Sequence, residues 1–334
     1  MHLIPKDFLL QLQLKQPLSR FDILIPFKRF NNELVRELVI LSIPIYFQSE
    51  KIIITGLLKA KPIYAQDWWP QSKSLLLSQY AELKKLPNWG CYYHSFDSTV
   101  KTKNAFPDEK KIRSNIKNLD CKRIDWKLPH PFNFKFFTWT VIGQHILYCT
   151  EPFQRFPLGW HEFNEDKSSP PNRAYVKLWE ILLVQNFFDT KEVSQHACIE
   201  VGCSPGGWTW VLAQLYKKVY AIDKAPLAKQ LSKFKNIDYQ SADAFKLDPK
   251  KFKDARWFFS DIICTPDRMN ELVSKWLQQS QVTHFVSTIK FKGPADFEFL
   301  QRFQQEKSSL GDSLITHLYH NKNEVTWLFK KNGA

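Results

Sequence analysis

The sequence predicts an α/β chain: a mostly parallel sheet between helices in the second half, preceded by a smaller α+β region. Three observations carry this. After residue 173, short apolar runs alternate with helical stretches, which implies parallel strands joined by crossovers. The last two runs are separated only by NKN, which predicts an antiparallel hairpin closing the sheet. Between the halves, residues 164–173 read NEDKSSPPNR, with the charge, serines and paired prolines of an exposed linker. At 334 residues the chain exceeds one typical domain, so the expected division is 1–163 and 164–334.

In chain order, FDILIPF, helical NELVRELVILSI and IYFQSEKIIITG read as a small α+β unit. SKSLLLSQYAELKKL is expected to be helical, followed by strands in NFKFFTWTVIG and QHILYCTEP, together a second such unit. Beyond the seam, Val176, Trp179, Leu183 and Phe187 fall at helical spacing. The strands then expected are ACIEVG, KVYAID, IDYQSA, RWFFSDI and HFVSTIKF, with helices in WTWVLAQLY, APLAKQLSKF and MNELVSKWLQQ. SLITHLYH and EVTWLFKK form the final hairpin. His145 and the Trp68–Trp69 pair are expected in the core, and His317 and His320, which alternate poorly with the strand and lack a partnered acid motif, have no catalytic role assigned.

Lys plus Arg number 47 against 33 Asp plus Glu, a net charge of +14 that favours polyanionic partners, and 15% aromatic residues add stacking surfaces for unpaired bases. Six scattered cysteines contain no CxxC pair, so no metal site is written locally and reduced thiols of a cytoplasmic protein are expected. Residues 1–16 lack the charge order and small-residue cleavage site of a leader, and LVILSIPIYF is about half the ~20 residues needed to span a bilayer. Neither a membrane nor DNA is expected as partner, and the default oligomeric state is a monomer.

Only 10 glycines occur in the chain, yet IEVGCSPGGWTW places Gly202, Gly206 and Gly207 within six positions, directly after a strand. Glycine admits positive φ and close backbone approach, so the cluster reads as a ligand-binding turn. The spacing is not that of a dinucleotide fingerprint. Asp223 ends the next strand, where an acid can accept ribose hydroxyls, and Asp243 follows the third, where one can accept an adenine amino group. Either acid alone is more commonly a turn or cap residue.

GCSPGGWT, AID, SADAF, SDI, STIKFKG and NKNEVTW together resemble the FtsJ-like ribose 2′-O-methyltransferases, and most of all the members acting on large-subunit ribosomal RNA. The resemblance runs from RAYVKLWE to the C-terminus and only loosely upstream, where such members carry a THUMP-type RNA-binding region. It implies a Rossmann-like S-adenosylmethionine-dependent domain with a mixed sheet, and an α+β, THUMP-like RNA-docking region before it. The family's Lys-Asp-Lys-Glu set falls on Lys177, Asp261, Lys290 and Glu324. Carried over likewise, Gly202, Ser204, Pro205, Gly206 and Gly207 line the methionine part of the cofactor. Asp223 and Asp243 hold its ribose and adenine, and Asp261 lies near the transferred methyl. Two departures stand out: Glu200 where an aspartate is usual, and Ala174 where serine is common near the cofactor.

The implied reaction is methylation of a ribose 2′-oxygen in 23S ribosomal RNA or its precursor, at a cytidine near the peptidyl-transferase centre. Such chemistry needs an anionic oxygen aimed at the methyl group. A lysine serves as base only when neutral, so Lys290 is assigned as base, with Lys177, Asp261 and Glu324 orienting it. A neighbouring lysine and desolvation lower its pKa, and the two acids raise it; the sequence leaves that balance open. Two alternatives stand beside this reading: a 2′-O-methyltransferase of another RNA, such as transfer RNA or an mRNA cap, and a non-catalytic RNA-binding or assembly protein.

Overall fold

The computed structural model describes residues 21–86, 90–94, 123–126, 135–142, 145–154, 156–185, 187–188 and 196–333. The segment read for a leader, residues 1–16, and Cys121 lie outside them. The chain divides after Glu162 into two compact units, and Ile124–Trp126 go with the second.

The first unit is a seven-stranded sheet built from β1 (Phe21–Pro26), β2 (Ile45–Gln48), β3 (Ile53–Thr55), β4 (Ala65–Leu76), β5 (Gly90–Tyr93), β6 (Phe136–Ile142) and β7 (His145–Cys149). Its order is β2-β3-β1-β4-β7-β6-β5, antiparallel except between β5 and β6. Helix α1 (Asn31–Ile40) buries Leu34 and Leu38. Phe21, Ile23 and Ile25 alternate along β1 into one core with Ile52, Ile54 and Trp69. Trp69 and His145 are fully buried, as expected, whereas Trp68 is half-buried and its Nε1 donates to Asp22 at 2.9 Å. SKSLLL differs from the helix expected of it: it continues β4, and only Leu77–Lys85 coil, as a 3-10 segment. At Gln71, whose φ is 47°, the two-residue period of β4 shifts by one, so that Trp69 and Ser72 are both inside.

The second unit carries α2 (Tyr175–Leu183), β8 (Ala197–Val201), α3 (Gly207–Leu215), β9 (Lys218–Asp223), β10 (Ile237–Ser241), β11 (Ala255–Ser260), α4 (Pro266–Gln279), β12 (His284–Lys290), α5 (Phe297–Ser308), β13 (Gly311–Thr316) and β14 (Glu324–Lys331). Its sheet runs β10-β9-β8-β11-β12-β14-β13; the first five strands are parallel and β14 is antiparallel to both neighbours, the mixed α/β sheet the sequence predicts. α4 shows why these segments are helical: Thr265 caps its start, Pro266 occupies the first turn, and Met269, Leu272, Val273, Trp276 and Leu277 form one buried stripe. APLAKQLSKF forms only a 3-10 turn, Lys229–Lys233, and α5, not expected from the sequence, is capped by Asp296.

The polar seam is not a loose tether. Asp166 accepts from the Ser168 and Ser169 amides, and Arg173 pairs with Glu165 through two bonds of 2.9 and 2.7 Å. Ile124 bridges Phe163, and Trp126 stacks on Trp179 of α2 with ring centroids 4.9 Å apart and planes within 10°. These contacts carry Ile124–Trp126 into the second unit. No described helix is long and apolar enough to cross a membrane.

Candidate functional site

The strand order reverses at β8: β9 and β10 lie on one side of it, β11 and β12 on the other. In open α/β sheets such a point opens a crevice at the carboxyl ends of the strands. Gly202 follows β8 there and Asp261 follows β11, so the glycine turn and the predicted acid flank the same crevice.

The glycines are required first by the chain itself. Gly202 has φ +76°, and a Cβ on it would lie 3.0 Å from Ile262 Cα, where the loops after β8 and β11 meet. Gly206, at φ +113°, begins α3, and a Cβ there would collide with Leu231; on Gly207 one would collide with the Asn172 side chain. Their absent side chains are thus filled by neighbouring protein atoms. Ser204 donates its amide to Asp223 at 2.9 Å and its hydroxyl to the Pro226 carbonyl. Pro205 accepts from the Ala228 amide through its carbonyl, and the Ala174 carbonyl accepts from Trp208 Nε1 at 3.0 Å. Helix α2 and the glycine turn are thereby held together.

Of the two strand-end acids, Asp223 uses each carboxylate oxygen once, for the Ser204 and Ala225 amides, and each oxygen has a further lone pair. Asp243 caps the 3-10 turn Ala244–Lys246 and pairs with Lys224 at 3.0 Å; these bonds, Lys224 first, hold its pKa below the ordinary value. Glu200, the departure in β8, is 2% exposed and accepts from Thr209 at 2.6 Å. Burial pushes its carboxyl up to about 8 against that hydrogen bond, with Asp261 and Asp223 adding to the rise.

The four residues expected to act together do meet, although 147 positions separate the first from the last. Lys177 Nζ lies 2.9 Å from Glu324 Oε1 and 3.4 Å from both Asp261 oxygens. Lys290 Nζ donates to Asp261 Oδ1 at 2.6 Å. The positions follow from secondary structure: Lys290 ends β12, Glu324 begins β14, and the antiparallel register sets them opposite each other. Lys177 comes from the buried helix α2. Its side chain is 8% exposed against 21% for Lys290. Burial alone would lower the Lys177 pKa, but Asp261 and Glu324 outweigh it and hold the amine above its ordinary value. Burial likewise pushes Asp261 up, and Lys177 and Lys290 outweigh it, keeping the carboxylate below its ordinary value. The centre is therefore an ionised acid between two amines.

Sequence reading missed two sets of residues. Thr288, two places before Lys290 on the same strand face, donates to Asp261 Oδ1 at 2.9 Å; the alternation of β12 was the available signal. The second is Glu180, whose buried carboxylate receives His320 Nδ1 at 2.7 Å. His320 therefore does have an acid partner, contrary to expectation, 140 residues away and with no local signal. His317 faces the Lys322 carbonyl. Among the described residues no group of three or more His, Cys, Asp or Glu could hold a metal ion.

Residues 170–293 match the FtsJ-like methyltransferase family. Two proteins named ribosomal RNA large subunit methyltransferase M are similar to the chain. That of Idiomarina loihiensis is 27% identical over 168 residues, 47% of this chain and 45% of that protein. That of Cellvibrio japonicus is 30% identical over 181 residues, 51% of each. The chain thus spans about half the length of the curated relatives it matches. An rRNA methylase of Streptococcus thermophilus of known structure is 18% identical, with a TM-score of 0.34 over 42% of this chain and 92% of that one, a likeness too slight to carry an argument. The matching segment, residues 170–293 of the second unit, spans the glycine turn and three of the four converging charges, and over that segment the chain is similar to the FtsJ-like methyltransferases.

Proposed function

We propose that the chain is an S-adenosylmethionine-dependent RNA methyltransferase that modifies a ribose 2′-oxygen, with 23S ribosomal RNA as substrate and a cytidine near the peptidyl-transferase centre as the target. The observation that carries this reading is Asp261: its Oδ1 receives Lys290, Lys177 and Thr288 at the switch point of the sheet, within a crevice whose other wall is the glycine turn. The names of the large-subunit relatives support the RNA class. On this reading the first unit, THUMP-like in role, docks RNA.

The residues fit the cofactor by their chemistry. Asp223 has free lone pairs for ribose hydroxyls, Asp243 a carboxylate for an adenine amino group, and Gly202, Ser204, Pro205, Gly206 and Gly207, with Ala174 behind them, would line the methionine part. When bound, S-adenosylmethionine supplies an electrophilic methyl group to the ribose oxygen. Lys177, fixed between two carboxylates and held protonated, orients the hydroxyl and stabilises developing negative charge on its oxygen. Lys290 Nζ, the less buried amine, is the assigned acceptor of the hydroxyl proton; Asp261 holds it in place, and Thr288 in turn fixes Asp261. Glu324 keeps Lys177 on station.

Transfer of labelled methyl to 23S RNA lacking its modifications, by the wild type and by Lys290→Ala, tests this. Label on a ribose 2′-oxygen, reduced on the order of 10²–10⁴-fold in Lys290→Ala, is the expected result. Label only on transfer RNA or capped RNA would move the substrate; RNA binding without any transfer would make the chain a binding protein.

A further inference from the structure

Glu180 and His320 stand outside the four charges but are joined to two of them through the backbone. Glu180 lies three residues after Lys177 on α2, one helical turn along. It is 1% exposed, and its carboxylate is fully engaged: Oε1 accepts the Tyr319 amide at 2.7 Å, and Oε2 accepts the His320 amide at 3.2 Å and His320 Nδ1 at 2.7 Å. The segment so gripped, Tyr319–His320, leads four residues later into Glu324. Its other side is fixed too: Asn321 Nδ2 donates to Thr326 Oγ1 at 3.1 Å, and the Asn323 carbonyl accepts from the Phe291 amide at 3.1 Å.

A buried carboxylate is costly to desolvate unless its lone pairs are met. Here two backbone amides and one imidazole help meet them, and these three bonds come from a segment far along the chain that returns to α2. Nothing in helix formation requires an acid at this place. We propose that Glu180 and His320 form a positioning clamp which fixes α2 against the segment leading into β14, and so sets the Lys177–Glu324 distance on which the methyl-transfer reading depends. The clamp acts through Lys177 and Glu324 and touches neither substrate nor cofactor. A displacement of about 1 Å at the reacting groups can cost on the order of 10²-fold in rate, which gives the clamp its leverage.

The test compares Glu180→Gln, His320→Ala and His320→Asn with the wild type in the full chain. Asn retains an N–H close to the position of imidazole Nδ1, so it restores the bond that Ala removes. The expected pattern is a fall in kcat on the order of 10²-fold for Glu180→Gln and about tenfold for His320→Ala, with KM for RNA and for S-adenosylmethionine unchanged and His320→Asn within about threefold of wild type. A second readout is free of turnover: labelling with acetic anhydride should spare Lys177 in the wild type and reach it in Glu180→Gln and His320→Ala. Wild-type kcat and an equally protected Lys177 in folded Glu180→Gln and His320→Ala would overturn the clamp. So would a loss in His320→Ala that His320→Asn does not rescue. Absence of methyl transfer by the wild type itself would instead sink the functional reading, and the Lys177 labelling would still decide the clamp.

Discussion

The two units bury acids in opposite ways. In the first, Glu37 and Asp67 accept hydrogen bonds from neutral donors, Glu37 from the Ile63 and Tyr64 amides and Asp67 from the Trp68 and Gln154 amides and Trp69 Nε1, and the Lys61 charge is the smallest of the influences opposing burial. Burial prevails, and both carboxyls are pushed up to about 7. In the second, Asp261 is met by two amines as well as a hydroxyl, and burial loses: the group stays ionised. Neutral donors satisfy a carboxyl's hydrogen bonds without preserving its charge, whereas opposite charges preserve it. The first arrangement leaves a neutral group in the core, and the second keeps a charge at the candidate site. Glu200 shows the contrast within one unit: it lies in the sheet of the second unit, its one hydrogen-bond partner among the described residues is Thr209, and it behaves like the acids of the first unit.

The sharpest way to break this contrast is Asp261→Asn. It leaves Lys177 and Lys290 without their shared anion, and methyl transfer should fall by roughly 10²–10⁴-fold, measured under single turnover. An unchanged rate would show that charge at this position has no part in the chemistry.

The pH dependence of stability should separate the two kinds of acid. A carboxyl with a raised folded pKa contributes stability that is complete below its unfolded pKa, near 4, and is lost as pH rises toward its folded value of about 7. Asp261, with a depressed folded pKa, contributes stability above about 4 that is lost at lower pH. Thermal unfolding between pH 4 and 7 should therefore decline for the wild type, with Asp67 supplying a slope of up to about 1.4 kcal/mol per pH unit. Asp67→Asn should flatten that slope while costing about 1–3 kcal/mol at pH 5, because the amide nitrogen that replaces one carboxyl oxygen accepts no hydrogen bond and leaves at least one of the three donors unmet. A slope identical in the variant would refute the assignment.

The smallest effect is expected at Thr288. Thr288→Val removes one donor to Asp261 and keeps the shape of the strand, so stability should drop by about 1 kcal/mol and activity by less than in Asp261→Asn. Differential scanning calorimetry with a rate measurement would resolve the two.

Much of the second unit was legible in the sequence because its strands are short, apolar and end in the residues of the candidate site. Gly202, Asp223, Asp261 and Lys290 all stand at or next to a strand's carboxyl end, so ordering the strands gathers them without knowledge of side-chain contacts. Other features were hidden for physical reasons. In SKSLLL the buried positions of β4 are serines, Ser72 and Ser74, so no apolar alternation marks the strand. The ligand-approach reading of the glycines overlooked Ile262, Leu231 and Asn172, which come from distant segments to fill the vacant Cβ positions. Glu180 and His320 have no local pattern at all, since an acid and an imidazole 140 residues apart become partners only through the fold.

The pairing of Lys290 with Glu324 across β12 and β14 has a consequence for tolerance to error. Strand pairing is discrete: a slip of one residue turns Glu324 to the opposite face, and a slip of two moves it about 7 Å and sets Lys322 or Thr326 against Lys290. No slightly misaligned ladder lies between these states. The hairpin works as a detent, holding the charges in register or losing them altogether, and sequence change along its length is buffered until it makes the ladder jump.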